Sequence, residues 1–148
     1  MGYIPDNAEW FVAELVEELT VADDPRNIVW RNLTLIRAKL PEEAYQRALA
    51  LGKEGDTEYL NPDGKLVTVR FRGISYLDVI HDGLEDGAEL LYHSETDVPQ
   101  ERIEKLLRAK NELNAFRSPG PLDGLDVASG EVVREVRDRF GVRRPDRG

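Results

Sequence analysis

Between Lys65 and His81 the chain reads KLVTVRFRGISYLDVIH, and every odd position from Val67 to Val79 is apolar or small. The even positions include Thr68, Arg70, Arg72, Tyr76 and Asp78. Alternation with a period of two puts successive side chains on opposite faces of an extended chain, so this stretch is a β-strand with one face on a core and one face wetter. At ~3.3 Å per residue a straight strand of this length spans on the order of 50 Å, too long for a small domain. A bend or bulge is therefore expected at Gly73, where the absent Cβ permits it, with the core face kept on both sides.

The remaining segments arrange themselves around that strand. EWFVAELVEELTV at 9–21 fits two descriptions. Phe11, Val12, Leu15, Val16 and Leu19 sit at helical spacing, yet the same run reads equally as a strand buried on both faces. ADDPRN at 22–27 is a turn, because Pro25 disfavours the helical region for Asp24. NIVWRNLTLIRA at 27–38 is rich in β-branched and aromatic residues and has no helical stripe. Pro41, Glu42 and Glu43 open a helix, although Leu40 is a poor cap. Ala44, Ala48 and Leu51, flanked by Tyr45, supply its buried stripe, and Gly52 is the expected stop. Thr57–Leu60 is a short extended arm, and Asn61-Pro62-Asp63-Gly64 is a turn leading into the long strand. Glu89–Glu95 reads as a last strand, the hairpin partner of the long strand's second half. Asp97 is expected to cap a helix over 99–116, with Ile103, Leu106, Leu107, Leu113 and Phe116 on its apolar face.

Several pieces of this order resemble a small bacterial family known only as a domain of unknown function, of about 90 residues. They are WFVAELV at 10–16, LTLIRA at 33–38, PEEAYQRALALG at 41–52, EYLNPDG at 58–64, VTVRFRGISYLDVI at 67–80 and LEDGAELL at 84–91. The resemblance covers roughly residues 9–95 and implies that the first ambiguous segment is a strand. The expected fold is α+β, a mostly antiparallel sheet of four to five strands in the order β-β-α-β-β-β-α. A helix packs on one face and a helical extension follows, the helix over 99–116 also covering the sheet. The resemblance implies no activity, cofactor or catalytic residue. Residues 1–117 are expected to form one domain. Residues 118–148 are expected to hold a linker, a short helix from Ser129 through Phe140 and a mobile tail.

Composition removes several functions. With no cysteine there is no thiolate nucleophile, disulfide or Cys-bound metal, and the expected compartment is the reducing cytoplasm. No run is long enough to span a bilayer, and the N-terminus lacks the basic and apolar regions of a secretory signal. The net charge of −9 opposes nucleic-acid binding. There is no phosphate-binding glycine loop and no nucleophile elbow around any serine, so no enzyme is indicated and no cofactor is expected.

The charge is also unevenly spread. From Gly73 to Glu101 there are eight carboxylates, Asp78, Asp82, Glu85, Asp86, Glu89, Glu95, Asp97 and Glu101, and no Lys or Arg. The plain reading is a solvated rim around two glycine turns. The functional reading is an electrostatic docking face, carried by Asp78, Asp82, Glu85, Asp86 and Glu89, for a basic protein partner, as in toxin-neutralising or adaptor modules. Asp82–Gly87 offers oxygen ligands but lacks the calcium-loop pattern. His81 and His93, the only imidazoles, are weak candidates for a metal or small-molecule site if a hairpin brings them together. Arg70 and Arg72, with Tyr76 and Trp30 or Arg31 nearby, offer an anion site or else neutralise neighbouring carboxylates. Self-association through the last strand or the C-terminal helices is a third partner reading.

Overall fold

The structure, a computed structural model, describes residues 3–117. Its core is a four-stranded antiparallel sheet in the order β2-β1-β4-β3, built from β1 (Trp10–Val21), β2 (Asn27–Arg37), β3 (Thr57–Leu60) and β4 (Leu66–Val79). Helix α1 (Pro41–Glu54) crosses one face, and a short α2 (Gln100–Leu106) follows the sheet. The α+β class and the leading β-β-α-β-β order are those expected from the sequence. The ambiguous segment at 9–21 is a strand.

β4 pairs along its length with β1, from Phe11 opposite Val79 to Val21 opposite Val67. The expected bulge is in fact two register shifts, one beside Leu15 and one beside Glu17, which leave Ser75 and Arg72 without partners on β1. They flank Gly73, whose φ of 143° is open to glycine and strained for other residues. One bulge would exchange the faces of everything beyond it, whereas two restore the parity. Val67, Val69 and Val79 are accordingly all buried. Between the bulges the odd-position rule fails. Ile74, not Ser75, packs on the core, and Ser75 turns to the opposite face to donate to Glu14 Oε1 at 2.6 Å.

The core lies between α1 and the sheet. Phe11, Ala13, Leu15, Ile36 and Val79 meet Ala44 and Ala48 of the helix, with Phe71, Ile74 and Leu77 at the margin. Leu19, Val21, Val67 and Val69 form a second cluster at the other end of the sheet. The helix opens as expected, with Pro at its first positions, acids in its first turn and no side-chain cap at Leu40. It does not stop at Gly52. It runs to Glu54, and Gly55 caps it with its N–H donating to the Gly52 carbonyl at 3.1 Å. Ala44, Ala48 and Gly52 recur every four residues and are the helix's buried positions. Small side chains there let the helix approach the sheet, and the Phe71 ring occupies the space that a side chain on Gly52 would need.

The turn between β3 and β4 is held by Asn61, the buried polar residue of the described core. Its Oδ1 accepts from the N–H groups of Asp63 (3.1 Å) and Lys65 (2.9 Å), and Gly64 takes the left-handed conformation the turn requires, at φ 75°. Asn61→Ala removes the acceptor and leaves both amides seeking partners, so it is expected to cost about 2 kcal/mol, read as a lower denaturant midpoint at unchanged slope.

Two expected elements are absent. Glu89–Glu95 forms no strand: β1 occupies one edge of β4, and on the other edge only β3 pairs, opposite Leu66–Val69, so the second half of that edge has no strand beside it among the described residues. The helix expected over 99–116 ends at Leu106 and covers no sheet. Two short 3-10 turns follow (Lys110–Glu112 and Asn114–Phe116), and every residue from Pro99 to Arg117 is exposed. Asp97 does not cap α2. Its own φ is 56°, and Pro99 stands at the cap position without a side-chain bond. A segment this short gains little from its own hydrogen bonds when no apolar surface lies beneath it. The linker, final helix and tail expected over 118–148 lie outside the described residues.

Candidate acidic docking site

β4 delivers the chain to the acidic segment at the end of the sheet where β1 begins. Ile80 N–H still donates to the Trp10 carbonyl (2.9 Å), and beyond it the chain turns into the loop 81–89. Asp82 closes that loop, its Oδ2 accepting from the Glu89 N–H at 3.0 Å. Inside it the Ala88 N–H donates to the Glu85 carbonyl at 3.0 Å, and Gly87 supplies the left-handed residue of the turn at φ 83°. Glu85 and Asp86 stand at the tip of this turn, in water.

The five carboxylates singled out from the sequence thus occupy two levels. Asp78, Asp82 and Glu89 border a small cavity of about 100 Å³, together with Tyr76, His81, Leu90 and Tyr92. Glu85 and Asp86 project beyond it. All five are exposed. Among the described residues none of them makes an ion pair with Lys or Arg. Further along, Glu95 does pair with Arg102, at 2.8 Å. Asp78 accepts from the Val79 N–H (2.8 Å) and Tyr76 OH (3.5 Å), and burial, with Asp78 second, raises the Tyr76 phenol above its ordinary range. The acidic character of the segment therefore faces solvent uncompensated.

The two imidazoles do not line a common cavity. His81 lines the small cavity and a neighbouring one shared with Trp10 and Arg37, and neither includes His93. Among the described residues no three His, Asp or Glu side chains are grouped to hold a metal ion. The arginines are committed elsewhere: Arg70 to Glu58 (3.0 Å), Arg72 to Glu18 (3.6 Å) and Arg31 to Glu14 (2.6 Å). Trp30 stands opposite Glu17 on the helix side of the sheet, away from Arg31, and Trp10 stacks under Arg37 at 4.5 Å. These pairs form a charged lattice on the face of the sheet opposite α1, which is the neutralising role rather than an anion site.

The Glu14 pair and two ion pairs at the β1–β2 turn carry a pH dependence. Hydrogen bonds from Ser75 and then Arg31 hold the Glu14 carboxyl below its ordinary 4.5. Lys65 does the same for Asp23, and Arg26 holds Asp24 down to about 2, from 3.8. A carboxylate with a depressed folded pKa contributes stability above its unfolded value and loses it as pH falls through the folded one. The melting temperature is thus expected to be level above about pH 5 and to fall steadily from there toward about pH 2. Glu14→Gln should flatten the upper part of that fall in a pH-resolved melting series.

Sequence reasoning placed the carboxylates on one segment but missed that three of them surround a single concavity with His81. It also missed an apolar strip on the outer strand. Val29, Leu33 and Leu35 of β2 are exposed on the lattice face, while Ile36 is buried on the other. β2 is apolar on both faces, so no alternation marked which side was covered. No helix of the described residues is long and apolar enough to cross a membrane.

A family model described as "Domain of unknown function (DUF4288)" matches residues 10–92, which takes in the whole sheet, α1 and the acidic loop. No curated protein and no solved structure matches the chain.

Proposed function

This chain belongs to the DUF4288 family, and on that footing we propose that it is a non-catalytic interaction module. It captures a basic protein through the rim formed by Asp78, Asp82, Glu85, Asp86 and Glu89. The observation that carries this reading is the exposure of these five groups without an ion-paired cation among the described residues, in a window of 29 residues, Gly73–Glu101, that holds no Lys or Arg. Like charges concentrated on a loop raise the rate of encounter with an opposite patch and suppress wrong partners. The frame suits the task, because the Asp82 carboxylate accepts from the Glu89 N–H and so holds the two ends of the loop together. Toxin neutralisation or an adaptor role fits such a surface, in the cytoplasm of a bacterial cell.

Reversing the charge at Glu85, Asp86 and Glu89, with Asp82 kept to close the loop, is expected to abolish capture of the partner at low salt. The alternative is a small ligand in the cavity bordered by Asp78, His81, Asp82 and Glu89. A thermal-shift series with divalent metals and anionic metabolites separates the two, since only a ligand site gives a saturable rise in melting temperature.

A further inference from the structure

One edge of β4 lies against β1, but on the other edge β3 pairs only opposite Leu66–Val69. Antiparallel pairs alternate between hydrogen-bonded and open ones, so the ladder fixes which backbone groups point outward. Ile80 N–H donates to the Trp10 carbonyl, which puts Asp78 and Tyr76 in bonded pairs with β1 and turns the backbone groups of Val79 and Leu77 to the other edge. There the Val79 N–H is taken by the Asp78 carboxylate at 2.8 Å, and further back the Phe71 N–H by Asp56 at 2.6 Å. Between them the outward N–H and carbonyl of Leu77 meet no partner among the described residues. Edge groups left in this way are a template for an added strand. We propose that this edge receives an extended basic segment of the partner protein, paired antiparallel to β4, with apolar and cationic side chains in alternation.

The partner's sign rests on the rim reading above, while its extended form rests on the edge alone. Both side-chain preferences follow from what flanks the edge. On the helix side Ile74 and Leu77 are only half-buried at the margin of the core, so an incoming strand gains by laying apolar side chains beside them. On the opposite face Asp78 is exposed, and Asp82 and Glu89 border the same cavity beyond it. None of these three has an ion-paired cation among the described residues, so cations suit that face. Arg70 and Arg72, nearer β3, are already held by Glu58 and Glu18. The carboxylates also disfavour a second copy as occupant, because pairing two β4 edges would bring two acidic rims together. Every neighbour in this sheet is antiparallel. In that arrangement the residue opposite Leu77 shares its face and turns its own N–H toward β4, so the apolar residues of the added strand make the bonds.

Binding of a capped peptide of about seven alternating lysines and valines, an ordinary strand length, to the full chain checks this directly. Two isomers of equal charge accompany it, one N-methylated at its valines and the other at its lysines. The parent and the lysine-methylated peptide are expected to bind alike. The valine-methylated peptide is expected to bind at least ~10-fold more weakly, since only its methyl groups meet the edge. Hydrogen exchange at the Leu77 amide should slow as the parent peptide saturates the chain. Equal binding of the two isomers overturns the added strand and leaves the rim reading standing. A threonine–valine peptide that binds as tightly as the parent contradicts the rim reading, and with it the basic occupant. A parent peptide that fails to bind at ~1 mM overturns the proposal. So does a Leu77 amide already protected in the chain alone, whether a second copy or another segment of the same chain fills the edge.

Discussion

Gly52→Val is expected to lower stability by about 2–3 kcal/mol, a fall in melting temperature on the order of 10–20 °C. Helix propensity alone says the opposite, since valine is a slightly better helix former than glycine in an interior position. Packing decides the sign. A Cβ on Gly52 would stand well inside 3.0 Å of three ring carbons of Phe71. That ring is half-buried at the margin of the core beside the bulged region of β4, so it can yield only by giving up its packing against the helix. Gly55 provides the control. A Cβ there meets the end of the Glu17 side chain, which can swing into water, and its φ of −77° suits any residue. Gly55→Ala should therefore be nearly neutral. Adding Phe71→Ala to Gly52→Val should recover part of the loss. Additive costs in that double-mutant cycle would show that the two residues are not coupled.

The same residue shows where sequence reasoning stops. A glycine near a helix end reads as a stop, because its common use is the left-handed cap. Its role here is close approach, which depends on a residue 19 positions away and leaves no local trace. β4 was legible because its alternation is local, and even the compensating bulges keep that alternation at both ends. β2 was legible as a strand but not as to face, since Ile28, Trp30 and Ile36 on one side match Val29, Leu33 and Leu35 on the other. Glu89–Glu95 has the composition of a strand, and the helix over 99–116 has the spacing of one. Whether either forms depends on the path the chain takes after β4 and on a covering surface, which a single segment cannot report. The candidate site divided in the same way. The run of carboxylates was plain in the sequence, whereas the gathering of Asp78, Asp82 and Glu89 with His81 is a product of the loop that Asp82 closes.

The rim reading predicts the larger functional effect. If long-range attraction to a basic surface drives capture, reversing three rim charges changes the local potential from attractive to repulsive, and a loss of at least ~30-fold in partner retention is expected. Retention by the wild-type chain should also fall steeply as salt shortens the screening length from about 10 Å at 0.1 M toward about 3 Å at 1 M. Net charge by itself is not the claim, so the comparison needs a chain with the same change in total charge placed elsewhere. Glu42, Glu43 and Glu54 on α1 serve, since they lie on a different element from the loop.

Side-by-side capture at low salt is the decisive measurement, using immobilised wild-type chain, the Glu85→Lys/Asp86→Lys/Glu89→Lys variant, which leaves the loop-closing Asp82 in place, and the Glu42→Lys/Glu43→Lys/Glu54→Lys variant, each first shown to melt cooperatively. A partner held by the first and third chains and released by the second is the expected result. Equal retention by all three, or equal loss from both variants, would contradict a localised acidic docking face.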